Sequence, residues 1–563
     1  MPYNVYLEMN PAGTTLAHIP ELPGLCLRGD SQEAALAALP QAIDSYFHWL
    51  QQHGEPLPRP DTITWQVVET IHDFGPFQRG DKAALFAADK APLSREALET
   101  HLRYAGYGRA DLLALTRHLP EQLLEWQPND QTMSIRQILS HVGGSAQWYV
   151  SRLVEAETLP PEWEHDDELG VFDFLALQQR TVSQRLRQLT EEELVQVTFP
   201  AMWSYHPDEM WTARKALRRL VEHELEHVAQ VRQVLAQWRA HFLAHLAAER
   251  AELLFLLIGL DEETLASRPV FDNSSAKELL AHIAAWDTLH TGRIRLAAQG
   301  RAAEIPSLVL DEYNAQLQAQ HQGWPLAEAL AVFTTARQEF LNTLAGLSDE
   351  ELHRPVTLPN GDTTSIRTWG LWRTRHDAAH AADLQAWRKQ QQFAPAVGPK
   401  ALLLAALQAS RAEMATLAAL LSPAGQTTHP LINTWTLKDI VGHLADWEAY
   451  GAAVLQAGRL LPMGYDEDDD RWNAAHAATR ATQSWGQVWS DFQAARQALL
   501  AHIIPLAPNG LATLLPDERG AGVSIYNWVL SFLEHEREHA LAVRAALMPH
   551  LPERLRQPPA GAT

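Results

Sequence analysis

The stretch Ser524-Ile-Tyr-Asn-Trp-Val-Leu-Ser-Phe-Leu-Glu-His535-Glu-Arg-Glu-His539 sets a hydroxyl residue, a histidine eleven residues later and a second histidine four residues after that. The same offsets recur at Thr212, His223 and His227 and at Ser365, His376 and His380. Spacing of four puts both imidazoles on one helix face with Cβ atoms about 6 Å apart, which suits joint coordination of one metal ion. Reading outward, each copy is preceded by a capping box: Ser134-Ile-Arg-Gln137, Ser275-Ala-Lys-Glu278 and Thr436-Leu-Lys-Asp439. A histidine stands seven residues, or two helical turns, past each of these caps: His141, His282 and His443. Apolar residues at i, i+3, i+4 and i+7 with no convincing strand make everything from about residue 93 onward all-α. The unit repeats three times at a spacing of about 140 to 160 residues.

With 26 histidines, chance alone supplies about one H-x-x-x-H pair, so a single pair carries little weight. Chance does not supply three copies of matched offsets on two separate helices. The expected metal ligands are therefore His141, His223 and His227, then His282, His376 and His380, then His443, His535 and His539. The competing reading is hydrogen-bonded core histidines inherited through duplication. A fourth pair, His241 and His245, has no counterpart in the other copies and reads as surface histidines. His223-Glu-Leu-Glu-His227 and His535-Glu-Arg-Glu-His539 fit the H-E-x-x-H zinc-protease pattern, but the middle copy reads His376-Asp-Ala-Ala-His380 and no downstream ligand follows. Glu224 and Glu536 stay candidate acid/base groups, the alternative being exposed helix acids.

The first ninety residues differ. Tyr3 to Met9, Thr14 to Ile19 and Thr62 to Ile71 read as strands, and Ser31 opens a helix to Leu50, so this is a small α+β unit. The expected organisation is an α+β domain with linker at 1–90, helical bundles at 93–240, 241–393 and 396–550, and a disordered tail at 551–563. Stability must come from packing, since Cys26 is the only cysteine. A net charge of -23 repels nucleic-acid phosphate and anionic lipid, and the basic run Arg214 to Arg219 reads as a solvated helix face. Asp466-Glu-Asp-Asp-Asp470 reads as a solvated acidic loop. No apolar run is long enough to span a membrane and the start carries no export signal, so a cytoplasmic location is expected.

One histidine on the second helix and an H-x-x-x-H on the fourth resembles the DinB/YfiT-like superfamily of four-helix-bundle metalloenzymes, over about 93–550. Ala281-His-Ile-Ala-Ala-Trp286 with Tyr313-Asn314, and Gly442-His-Leu-Ala-Asp-Trp447 with Trp472-Asn473, resemble the subgroup of ClbS-type and maleylpyruvate-isomerase-like proteins. The first copy has Trp148 further along and no aromatic-Asn pair. At the N-terminus, Tyr6-Leu-Glu, Ala17-His-Ile-Pro-Glu-Leu-Pro-Gly-Leu-Cys26, Gly29-Asp-Ser-Gln-Glu-Ala34 and Ala42-Ile-Asp-Ser-Tyr46 resemble a HicB-type antitoxin domain without its DNA-binding appendage. That resemblance implies a binding or self-association module.

Three neutral imidazoles around a divalent transition ion (Zn, Ni or Fe) leave a coordination position open, as catalytic sites do. The DinB-like resemblance implies thiol-dependent transferases, isomerases and hydrolases of small electrophiles, with a low-molecular-weight thiol as cosubstrate. Trp148, Trp286, Trp369, Trp447 and Trp528 lie at helical offsets from the ligands, as substrate walls or as core. The expected function is a metal-dependent thiol S-transferase or hydrolase acting on a small molecule. The alternatives are a ligand-sequestering or scaffold protein, or a toxin-antitoxin module.

Overall fold

The computed structural model describes residues 2–548 apart from 57–61, 73–74, 76, 78–80, 201, 272 and 466–467. The expected tail at 551–563, the start of the acidic loop and parts of the linker lie outside the described residues. Two compact units emerge, Met1–Leu235 and Ala236–Thr563.

The first unit begins with strands β1 (Tyr3–Met9), β2 (Thr15–His18) and β3 (Cys26–Gly29), helix α1 (Gln32–Gln52) and strand β4 (Trp65–Ile71). The sheet order is β3-β2-β1-β4, with β1 antiparallel to β2 and parallel to β4. Ser31 caps α1 by accepting from the Ala34 amide at 3.2 Å, and Ala35, Leu39, Ile43 and Phe47 form its buried stripe. Next come α2 (Arg95–Thr116), α3 (Ile135–Val150), α4 (Val171–Arg187) and the long helix α5 (Ala213–Phe255), whose residues up to Leu235 belong to this unit. Val5, Leu7, Leu39 and Ile43 share one core with Leu98, Leu102, Leu217 and Val221. The sheet therefore does not hang from a linker; it completes the core of the first bundle.

The basic run on α5 is not a solvated face. Lys215 and Arg218 are buried, Lys215 Nζ donating to the Ala83 carbonyl at 2.7 Å and to Glu209 at 2.9 Å. Arg218 pairs with Asp89 at 2.9 Å, and Arg214 donates to the carbonyls of Ala91 and Pro92. Charge alone suggested exposure; the compensating acids come from segments far away in sequence, so the correction needed the fold.

In the second unit the remainder of α5 is followed by α6 (Ala276–Ala298), α7 (Leu310–His321), α8 (Leu326–Ala345) and α9 (Ile366–Gln391), and then by α10 (Lys400–Ala418), α11 (Leu437–Ala457), α12 (Asp469–Arg480), α13 (Trp485–Ile503) and α14 (Ile525–Leu547). One core runs through both bundles, joining Leu253, Leu279 and Phe333 to Leu403, Leu499 and Phe532. His245 is buried, 3.6 Å from Glu249, because Ala244 beside it packs with Met414 and Leu417 of the neighbouring bundle; the pair His241 and His245 is thus not a surface pair.

The all-α expectation also needs amendment. Short antiparallel hairpins pair Pro269–Phe271 with Ser274–Ser275, Val356–Thr357 with Thr363–Thr364, Pro430–Ile432 with Trp435–Thr436 and Leu514–Pro516 with Gly522–Ser524. Strands of two or three residues leave no alternation to read. Each hairpin delivers the chain to the capping residue of a histidine-bearing helix.

Gly24 shows how closely the sheet seats on α5. Its φ is +97°, and a Cβ there would lie 2.7 Å from Val221 Cγ1 and 2.8 Å from Leu225 Cδ1. Gly24→Ala combines a left-handed backbone with overpacking and is expected to cost about 2–4 kcal/mol, read as a lower urea midpoint at unchanged m-value.

Candidate metal centre

The six histidine-bearing helices start where the caps predict. Ser134, Ser275 and Thr436 accept from the amides of Gln137, Glu278 and Asp439, whose side chains reach back to the cap amides. Thr212, Ser365 and Ser524 accept from Lys215, Thr368 and Asn527. With the start of each helix fixed, the offset of seven or eleven residues fixes where each imidazole projects.

The structure brings together all nine predicted histidines in three triads, each with its ligand nitrogens within 4.8 Å of one another. In the first, His223 Nε2 lies 3.1 Å from His141 Nε2 and 3.0 Å from His227 Nε2. In the second, His282 and His376 Nε2 are 3.1 Å apart, with His380 completing the group. In the third, His535 Nε2 lies 2.9 Å from His443 Nε2 and 3.2 Å from His539 Nε2. Ligand nitrogens about 2.0–2.1 Å from one ion stand roughly 2.8–3.0 Å apart at a right angle and roughly 3.3–3.4 Å apart at a tetrahedral one. Outer ring nitrogens face partners elsewhere: His227 Nδ1 donates to Gln230 Oε1 at 2.6 Å and His380 Nδ1 to Asp383 Oδ2 at 3.3 Å. That tautomer leaves the Nε2 lone pairs of His227 and His380 unprotonated and turned toward their triads, as metal ligation requires.

Burial, and then the neighbouring imidazoles, favour the neutral form of His223, His282, His443 and His539. The pKa is pushed down to about 3 at His282 and His443 and to about 4 at His539, and His223 lies well below the ordinary range. At least one histidine of each triad remains partly exposed.

Glu224 and Glu536 are not exposed helix acids. Both are buried. Glu224 accepts from Arg109 through both oxygens, at 2.5 and 3.1 Å, and Glu536 accepts from Arg411 at 2.9 Å and from Arg496. Asp377 holds the equivalent place behind His376, where Arg337 donates to it at 2.5 Å. An acid directly after the first histidine of each pair is thus locked to arginines of the bundle. In the second and third bundles the network is larger, adding Asp287 with Arg250, Arg337 and Arg373, and Glu448 with Arg411 and Arg496.

Sequence reasoning missed these residues, although their offsets are regular. Asp287 and Glu448 follow His282 and His443 by five residues, where the first repeat has Ala146. Arg109, Arg250 and Arg411 donate to the carbonyls of Leu175, Phe333 and Phe492; four residues on stand Gln179, Arg337 and Arg496. The first bundle has lost one acid and one base together.

Aromatic side chains form the walls. Trp286 Nε1 donates to Asn314 Oδ1 at 3.2 Å and Trp447 Nε1 to Asn473 Oδ1 at 3.0 Å, joining the paired phrases of the sequence. Trp286 lies 6.4 Å from His282 and Trp447 6.5 Å from His443. Trp435, 5.0 Å from His443, and Phe271, 6.1 Å from His380, come from the hairpins and had no sequence signal. Trp369 is core, while Trp148 and Trp528 donate to the carbonyls of Trp203 and Gly451.

Two expectations follow. Glu448→Ala alone leaves a buried positive excess, whereas Glu448→Ala with Arg496→Gln recreates the network of the first bundle. The double variant should be less destabilised than the sum of the singles by about 1–3 kcal/mol in urea unfolding. The depressed histidine pKa values also oppose acidification: unfolded imidazoles bind protons below about pH 6.5 while the folded ones do not. Chelator-treated protein should therefore keep this stability above about pH 6.5 and lose it progressively toward pH 4, seen as a falling urea midpoint between pH 7 and 5.

Against known sequences, a family model of the DinB superfamily matches at residues 107–231, 245–384 and 406–543, one match for each triad and together most of the chain. No curated protein and no solved structure matches. The chain belongs to the DinB superfamily.

Proposed function

We propose that this protein is a metal-dependent enzyme, a thiol S-transferase or hydrolase acting on small electrophilic compounds at its three-histidine centres. The observation that carries the reading is the convergence of three imidazole nitrogens in each bundle, with at least one histidine of each triad partly exposed. A structural ion is usually closed off by four protein ligands; three leave room for a reactant. A divalent ion held there supplies Lewis acidity that turns a thiol or a water into a nucleophile at neutral pH. Cys26 is in no triad, so the thiol comes from a cosubstrate. The histidines hold and orient; the tryptophan walls, with Trp286 and Trp447 fixed by Asn314 and Asn473, favour a flat apolar electrophile.

Glu224, Asp377 and Glu536 are read as positioning residues: the arginine pairs set the rotation of the helix that carries two ligands. That engagement also favours a second reading, ligand capture without turnover, because the acid beside each triad is not free to move protons. We read the N-terminal α+β part as a HicB-like binding or self-association module, supported by its strand order and its IPELPG turn. No helix among the described residues is long and apolar enough to cross a membrane; a cytoplasmic location and no nucleic-acid partner belong to the same reading.

Elemental analysis of protein purified without chelator or His-tag should give about three equivalents of transition metal more than the variant with His223, His376 and His535 all changed to Ala. Conjugation of a small thiol to an aromatic electrophile such as chlorodinitrobenzene should require that metal. Metal bound without any thiol- or water-dependent turnover would replace the enzyme reading by ligand capture.

A further inference from the structure

A fourth group of metal-ligating side chains lies outside the triads, where the sheet meets α5. His18, Cys26 and Glu222 each offer one donor atom, and the three lie within 4.8 Å of one another. His18 and Cys26 face each other as register partners on β2 and β3, and Glu222 comes from α5, directly before the triad ligand His223.

His18 is fully buried among charged groups. Its Nε2 lies 3.2 Å from Glu8 Oε2, which can only accept, so that nitrogen carries a proton. Its Nδ1 faces Glu222 Oε1 at 2.9 Å and Arg218 Nη1 at 3.2 Å, the first only an acceptor and the second only a donor. Arg218 Nη1 also donates to both oxygens of Glu222, at 3.4 and 3.2 Å, so without an ion Nδ1 keeps a proton and donates to Glu222, and with one it gives up that proton and turns its lone pair to the ion. A carboxylate on the far ring nitrogen with a lone pair on the near one is how a ligating histidine is held. The 2.9 Å between Nδ1 and the Glu222 oxygen is an ordinary separation for two ligand atoms of one ion.

The charge count accommodates an ion. Glu8, Asp89 and Glu222 with a Cys26 thiolate give four negative charges against two on Arg218 and Arg219, so one divalent cation brings the cluster to neutrality. Without the ion, an imidazolium and a thiol reach the same balance, so binding exchanges about two protons for one cation. Cys26, on the edge strand β3 and partly exposed, provides the way in.

We propose that His18, Cys26 and Glu222 form a fourth metal site, for a thiophilic divalent cation of the zinc class, that clips β2 and β3 to the helix carrying His223 and His227. The donor set of one nitrogen, one sulfur and one oxygen differs from the all-imidazole triads, so the two kinds of site are told apart by the sulfur.

Because Cys26 is the only cysteine, a thiolate-to-cobalt charge-transfer band in the near ultraviolet can arise only from this site. The full chain titrated with Co2+ should develop that band. It should vanish in Cys26→Ser, and persist in the variant with His223, His376 and His535 changed to Ala, which tests the triads separately. Absence of the band from cobalt-loaded wild type, or its survival in Cys26→Ser, overturns the proposal. A second measurement needs no variant: Zn2+ should slow alkylation of Cys26 by iodoacetamide at least tenfold, and an unchanged rate counts against the site.

Discussion

Each bundle depends on a guanidinium buried against the carboxylate that follows a triad histidine: Arg109 on Glu224, Arg337 on Asp377, and Arg411 with Arg496 on Glu536. Such pairs are poor evidence of net stability, because desolvation offsets most of their attraction, but an unpaired member is heavily penalised. Their effect is to make alternatives costly. Any rotation of the ligand-bearing helix that breaks the pair strands a charge in the core, so the adjacent residue, the histidine, is held in register. Arg109, Arg250 and Arg411 also donate to carbonyls of the neighbouring helix, tying the helices of a bundle at the depth of the triad.

The same logic explains why three copies have not stayed identical. The first repeat has Ala146 and Gln179 where the others have an acid and an arginine, a loss that keeps the interior neutral. Its core is completed instead by the N-terminal sheet, whose contact with α5 is rich in paired charge around Arg218, Asp89, His18 and Glu222. The second and third repeats keep the full network and share one core. Walls differ as well: Trp435 and Trp447 near the third triad, Phe271 and Trp286 near the second, and Tyr149, 5.8 Å from His223, near the first.

By itself the sequence determined the helical repeats, the capping residues, the nine histidines and their grouping into three triads, because these are local: a cap fixes a helix start, and a fixed offset along a helix fixes a direction. The tertiary structure decided what depends on partners distant in the chain. Lys215, Arg218, Glu224, Glu536 and His245 looked exposed by their chemistry and are buried, since what makes a charge tolerable inside is a counter-charge that no local pattern reveals. The hairpins before the caps were too short to carry a period, and the sheet was legible while its place in the core of the first bundle was not. The donors at His18, Cys26 and Glu222 stand up to 204 residues apart in sequence, and only the packing of β2 and β3 against α5 brings them together.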